Sequence, residues 1–208
     1  MADLQGLADA IIKGDQDKAR QLTQEAVDEG LSPDTILEEG LTAGMDVIGK
    51  RFKANEIYVP EVLIAARAMH AGMDILKPLL TAAGSKSAGT VVIGTVKGDL
   101  HDIGKNLVSM MLQGGGFNVV DIGIDVEASE FVESAQKEDA DIIALSALLT
   151  TTMPQMKTVI EALNEAGVKS RTMIGGAPVT EDYANEIGAS GYAPDAASAV
   201  DLARELVA

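Results

Sequence analysis

The sequence has no cysteine and no tryptophan, and only three tyrosines and three phenylalanines. Without cysteine there can be no disulfide, thiolate metal site, iron–sulfur cluster or cysteine nucleophile, which fits a reducing compartment. Basic residues are also scarce: 16 against 32 acidic ones, a formal net charge of −16. Such an excess repels phosphate backbones and argues against nucleic-acid binding. Histidine is limited to His70 and His101, so a metal site built from several histidines is excluded. No apolar run approaches the roughly 20 residues that a membrane helix needs. The N-terminus, MADLQGLADAIIKGD, has an early acid and no basic region before its apolar residues, unlike a signal peptide. The expectation is a cytoplasmic protein with neither nucleic acid nor membrane as partner.

What is present divides into two patterns. Over residues 1–83, Leu4, Leu7, Ala8, Ile11 and Ile12, then Ala19, Leu22, Ala26 and Val27, repeat at helical spacing. Two further segments, LSPDTILEEGLTAGMDVIGKRF and VPEVLIAARAMHAGMDILKPLL, open on Ser32–Pro33 and on Pro60, as helix starts do; Pro78 falls near the end of the second. Four amphipathic segments with short connections predict a helical bundle. Residues 84–89, within the small and polar stretch TAAGSKSAGT, read as a linker. Beyond it, over 90–208, short β-branched runs (TVVIGTV, FNVVDIGI, DIIALSAL, RTMIGGAP and ASGYAP) alternate with helical stretches. This alternation predicts an α/β domain with a five-stranded parallel sheet of flavodoxin-like, Rossmann-type order, in which ligands sit beyond the carboxyl ends of the strands.

The stretch GTVKGDLHDIGKNL places His101 just past the first strand, between Asp99 and Asp102. In an extended loop residues i and i+2 face the same way, so Asp99 can hydrogen-bond the imidazole and orient it as a metal ligand. One histidine cannot hold a free divalent ion. The bland alternative is a helix start, with Asp99 or Asp102 as cap and His101 a bystander. Against it stand Ser146, Thr150, Thr151 and Thr152 after the third strand, and Gly175 and Gly176 after the fourth, where missing side chains admit close backbone approach. Small residues at successive strand ends leave room for something large. A metal already held in a macrocycle would need only one axial protein ligand.

GDLHDIG, with its Asp-x-His-x-x-Gly pattern, the later SAL (Ser146 to Leu148) and the Gly175–Gly176 pair together resemble the signature of cobalamin-binding domains. RFKANEIYVPEVLIAARAMHAGMDILKP is similar to the helical cap that precedes this domain in methionine synthase and in corrinoid methyltransferase proteins. The resemblance covers nearly the whole chain. It implies a cobalamin or related corrinoid bound base-off, with His101 as axial cobalt ligand and Asp99 orienting it. Asp102 and Leu148 belong to the same cofactor-binding motifs. Gly104 would let the loop turn into its helix against the corrin. Ser146, Thr150, Gly175 and Gly176 would line the slot for the displaced nucleotide tail. Thr152 stands where methionine synthase has the serine that completes a His–Asp relay. Tyr58 stands where the cap usually has phenylalanine and would shield the upper face.

Functionally, the resemblance implies a methyl carrier that is not catalytic alone and has no catalytic residue of its own. A substrate-specific methyltransferase would load the methyl group onto Co(I). A second methyltransferase, with a pterin or thiol acceptor, would take it from methyl-Co(III). A reductive activation protein is a further candidate partner. The other readings are a cobalamin-dependent sensor or regulatory module, and a cobalamin storage protein. Away from the motifs, His70 reads as a helix-surface or interdomain residue, Met69, Met73, Met110 and Met111 as core, and Lys97 and Lys105 as solvated.

Overall fold

The computed structural model describes residues 2–84 and 87–208. Ser85 and Lys86, part of the expected linker, lie outside the described residues. The chain packs as two compact units, one running to Ser87 and taking in Gly114–Gly116, the other formed by the remainder.

The first unit is helical. Helix α1 (Leu4–Lys13) is capped by Asp3, whose carboxylate accepts the Gly6 N–H, and stops at Gly14 in the left-handed region, φ 70°. It buries Leu7, Ala8, Ala10 and Ile11. Helix α2 (Gln16–Asp28) starts on the Asp15 cap and buries Ala19, Leu22 and Ala26. Ser32 caps α3 (Pro33–Ile36), with Pro33 at the helix start as its sequence predicts. From there the helix continues through a π-helical turn (Leu37–Thr42) into α4 (Ala43–Lys53). That turn is invisible in the apolar periodicity. Helix α5 (Val59–Ala83) begins one residue before Pro60 and continues five residues past Pro78. Its buried residues include Ala65, Ala66, Ala68, Ala71 and Gly72, small residues that let neighbouring helices approach closely, together with the larger Met69.

The second unit is doubly wound: β1 (Thr90–Thr95), α6 (Ile103–Gly114), β2 (Asn118–Asp121), α7 (Ala128–Lys137), β3 (Ile142–Ser146), α8 (Pro154–Glu165), β4 (Arg171–Gly175), α9 (Glu181–Ile187), β5 (Gly191–Tyr192) and α10 (Ala196–Val207). The strands are parallel in the order β2-β1-β3-β4-β5. This is the flavodoxin-like order, whose switch point lies between β1 and β3. One sheet face, with Val92, Ile143, Leu145 and Ile174, packs against Phe131 of α7 and Met156, Val159, Ile160 and Leu163 of α8. Because strand side chains alternate, Val91, Ile93, Ala144 and Met173 serve the opposite face. Thr95, Ser146 and Gly175 are paired across β1, β3 and β4, so the loops after these strands leave from one level. Among the described residues no helix is long and apolar enough to cross a membrane.

Candidate functional site

Three loops meet at the carboxyl edge of the sheet. The β1–α6 loop carries Asp99 and His101, the β3–α8 loop runs from Ala147 to Met153, and the β4–α9 loop opens on Gly176. Gly98, at φ 78°, makes the turn that sends Asp99 inward. Gly98 N–H donates to Asp125 Oδ1 at 2.6 Å, and Asp125 N–H to the Asp99 carbonyl at 3.1 Å. The Thr95 hydroxyl, at the end of β1, donates to the His101 carbonyl at 3.0 Å.

Asp99 is fully buried, so its carboxylate needs donors to replace water. It has them on both oxygens. Oδ1 meets His101 Nδ1 at 2.7 Å and accepts the His101 backbone N–H at 3.1 Å. Oδ2 accepts the Leu148 N–H at 2.8 Å, the Leu149 N–H at 3.3 Å and the Thr152 hydroxyl at 2.6 Å. Burial pushes the carboxyl up. The bonds from Thr152, from the His101 ring and from the Leu148 and His101 backbones outweigh it, holding Asp99 well below the usual carboxylate range. With an ionised acceptor on Oδ1, His101 Nδ1 carries the proton, and in the neutral ring the lone pair sits on Nε2. The His101 side chain is 48% exposed, and Nε2 has no hydrogen-bond partner among the described residues.

The remaining sequence-predicted residues fall around this centre. Asp102 is exposed just before α6 and accepts from Asn106 Nδ2 at 3.2 Å. Gly104 is exposed in the first turn, with open space where a Cβ would stand. Ser146 ends β3, its carbonyl accepting the Val96 N–H at 3.1 Å. Leu148 serves Asp99 through its backbone while its side chain is exposed. Thr150 is exposed on the same loop and takes no part in the bonds to Asp99. Gly175 and Gly176 lie beside Ser146 and Ala147. Gly176 has φ 136°, and a Cβ there would overlap the Ala147 carbonyl oxygen. Tyr58 belongs to the helical unit, where it precedes α5 and is 66% exposed; its backbone N–H donates to Glu61 at 3.0 Å.

The sequence reads Lys97 and Lys105 as solvated. Lys97 is half exposed and pairs with Glu127 at 2.6 Å. Lys105 is buried and paired with Asp121, against that expectation. Tyr183 was missed as well. Its hydroxyl donates to the Met153 carbonyl at 2.8 Å and fastens the far end of the β3–α8 loop. An aromatic residue in so aromatic-poor a sequence was the available signal.

Chemically, the rim offers one imidazole nitrogen backed by a buried anion, beside the exposed side chains of Leu100, Ile103, Leu148 and Leu149. Among the described residues no group of three His, Asp or Glu side chains could hold a bare ion, so a metal at His101 must bring its other ligands. An apolar-edged macrocycle fits that demand, and the residues present fit a corrinoid.

A doubly wound domain with a carboxylate-backed histidine at its switch point, joined to a helical unit, defines the class of corrinoid-binding proteins. Family comparison agrees: residues 89–201 match one B12 binding domain and residues 3–77 a second. The chain is 46% identical over 213 residues to dimethylamine corrinoid protein 3 of Methanosarcina acetivorans, covering 100% of both. It is 49% identical to the dimethylamine corrinoid protein of Methanosarcina barkeri, over 99% of this chain and 97% of the relative. Among solved structures it resembles the methanol:cobalamin methyltransferase complex MtaBC of Methanosarcina barkeri, with TM-score 0.86 and 35% identity over 98% of this chain and 79% of that one. The chain belongs to the cobalamin-binding corrinoid proteins of methyltransferase systems.

Proposed function

We propose that the protein is a methyl carrier that binds its corrinoid base-off, with His101 Nε2 as the axial cobalt ligand. The observation that carries this reading is the 2.7 Å contact between His101 Nδ1 and the buried Asp99, which leaves Nε2 free at the rim. A bound corrinoid supplies a cobalt centre that accepts a methyl group when reduced and yields it to a nucleophile. The protein's part is to hold the imidazole, tune its basicity through Asp99 and keep the carboxylate dry. In the His101–Asp99–Thr152 chain the carboxylate would hold the proton on Nδ1 and aim Nε2 at the metal, with the Thr152 hydroxyl holding the far oxygen of Asp99.

Gly175 and Gly176 support the reading that a nucleotide tail lies against the β4–α9 loop, with Ser146 and Thr150 beside it. Asp102, Gly104 and Leu148 would border the corrin. Tyr58, exposed and at the capping position by resemblance, is assigned to shielding the methyl-bearing face. In this reading residues 1–83 are the cap, 84–89 the linker and 90–208 the cofactor domain. The partners are a substrate-specific methyltransferase, a second methyltransferase with a pterin or thiol acceptor, and a reductive activation protein. Methylamines are the first donors to try, since the relatives are named dimethylamine corrinoid proteins.

The test has two arms. Electron paramagnetic resonance of the Co(II) form, with ¹⁵N-labelled protein histidine, should show splitting from the protein nitrogen; splitting from the cofactor's own base refutes the ligand. Mixing the loaded protein with a methylamine and its methyltransferase should change the cobalt spectrum in proportion to methyl transferred. A storage or sensor protein would bind the cofactor and leave that spectrum unchanged.

A further inference from the structure

The buried charge nearest the histidine loop is one to which the reading above gives no task. Lys105, in the first turn of α6, is only 3% exposed. Its ammonium pairs with the Asp121 carboxylate at the end of β2 and donates to Asn106 Oδ1 at 2.8 Å. The Asn106 amide in turn donates from Nδ2 to Asp102 Oδ2. Asp121 Oδ1 accepts the Gly123 N–H at 2.9 Å. A chain of polar contacts therefore runs from the end of β2, through the first turn of α6, to the residue that follows His101. The connection after β2 also holds the other side of the same loop, through Asp125, Gly98 and the Asp99 carbonyl. His101 sits between two moorings on one edge of the sheet.

Stability alone is a poor reason for this arrangement. A cation in the first turn faces the positive end of the helix dipole. Burying the ammonium of a pair whose carboxylate is still 34% exposed carries a desolvation cost that offsets much of the attraction. With its ammonium taken by Asp121 and Asn106, Lys105 is not placed to touch a ligand either. We propose that Lys105 is a positioning residue for His101: held by Asp121, it fixes Asn106 and Asp102 and so the direction in which the imidazole leaves the loop. This rests on His101 being the cobalt ligand, and it adds a residue to that site without adding a contact to the cofactor.

The test uses the full chain and its two histidines, which give two sets of ring signals in a ¹⁵N-histidine sample. In the cofactor-free protein, Lys105→Met keeps an unbranched side chain and leaves Asp121, 34% exposed, to solvent. The His101 Nδ1–H signal should broaden or move towards that of a free imidazole, while His70 stays in place. In the Co(II)-corrinoid form the ratio of His101-on to His101-off should fall about tenfold, the scale seen when a metal ligand loses an orienting partner. Asn106→Ala keeps the ion pair and cuts only its link to Asp102; it should move the ring in the same direction. If both variants keep the wild-type ring signal and splitting, or if Lys105→Met does not fold and Asn106→Ala leaves the ring unmoved, the proposal is wrong. If wild type shows no His101 splitting, the ligand assignment fails instead, while the ring signals of the cofactor-free protein still report on Lys105.

Discussion

The Thr152 hydroxyl lies 2.6 Å from Asp99 Oδ2 although 53 residues separate the two in the chain. The same hydroxyl lies 2.9 Å from the Leu149 carbonyl. It has one proton and two acceptors, and the ionised carboxylate is the stronger. Threonine keeps the hydroxyl that a serine would provide and adds a methyl group, which stiffens χ1. Space for that methyl exists above Gly98, where an added Cβ would stand 3.7 Å from it.

Thr152→Val removes the hydroxyl at constant shape and leaves Asp99 Oδ2 with backbone donors only. The expected loss is about 1.5–3 kcal/mol, the range for a hydrogen bond to a charged group. Thr152→Ser should cost less. Urea unfolding of both variants checks this, and a larger loss in Thr152→Ser than in Thr152→Val would mean that the methyl, not the hydroxyl, matters.

Asp99 also gives the fold a pH dependence of known sign. Its folded-state carboxyl titrates below its ordinary value of 3.8, so the stability it contributes is present above that value and is lost as pH falls towards the folded one. The stability difference between wild type and Asp99→Asn should therefore be constant from neutral pH to about pH 5 and shrink below about pH 4. Chemical denaturation across pH 2.5–7 measures it. A difference that does not change with pH would show that folding leaves the Asp99 carboxyl unshifted, and one that grows as pH falls would show it held un-ionised in the folded protein.

Most of the fold was legible because alternation and periodicity are local. TVVIGTV became β1 without its last residue, and DIIALSAL became β3 without Asp141 and without Ala147 and Leu148. FNVVDIGI kept only Asn118–Asp121, since the chain turns at Gly123, φ 98°. The Asp99–His101 pair was legible for the same reason, two residues apart in an extended loop. The burial of Lys105 was not. Its partner Asp121 is 16 residues away across a crossover, and only the sheet brings them together. The π-helical turn at Leu37–Thr42 was equally hidden. Gly40 there leaves room for Leu7, whose Cδ2 would lie 2.6 Å from an added Cβ, and that is a tertiary contact.

Gly176→Ala tests the slot. The substitution meets both a left-handed backbone and the Ala147 carbonyl, so something must shift. The backbone conformation alone costs on the order of 1–3 kcal/mol. Displacing Ala147 should disturb Leu148 next to it and weaken its N–H bond to Asp99. A lower melting temperature together with faster exchange of the Leu148 amide is the expected result. A loss of stability with that amide unchanged would separate the slot from the relay.

Tyr58→Ala tests the assignment of the upper face. The side chain is exposed, so the melting temperature should change little. Bound methylcobalamin should photolyse faster than in wild type. Equal photolysis rates would remove Tyr58 from the site.

The shared level of Thr95, Ser146 and Gly175 makes the sheet edge a cutting line for loop exchange. Each loop springs from the same rung, so its length and sequence can be replaced without tilting the platform beneath. A single-residue deletion inside any of the three strands would instead turn the following side chains to the opposite face. The loops are not equally independent, however. Ala147 and Gly176 touch backbone to backbone, and Tyr183 holds Met153. The β3–α8 and β4–α9 loops therefore move between relatives as a pair, and the histidine loop must go with them, because Asp99 takes its donors from Leu148, Leu149 and Thr152 and its loop is moored to Asp121 and Asp125 as well.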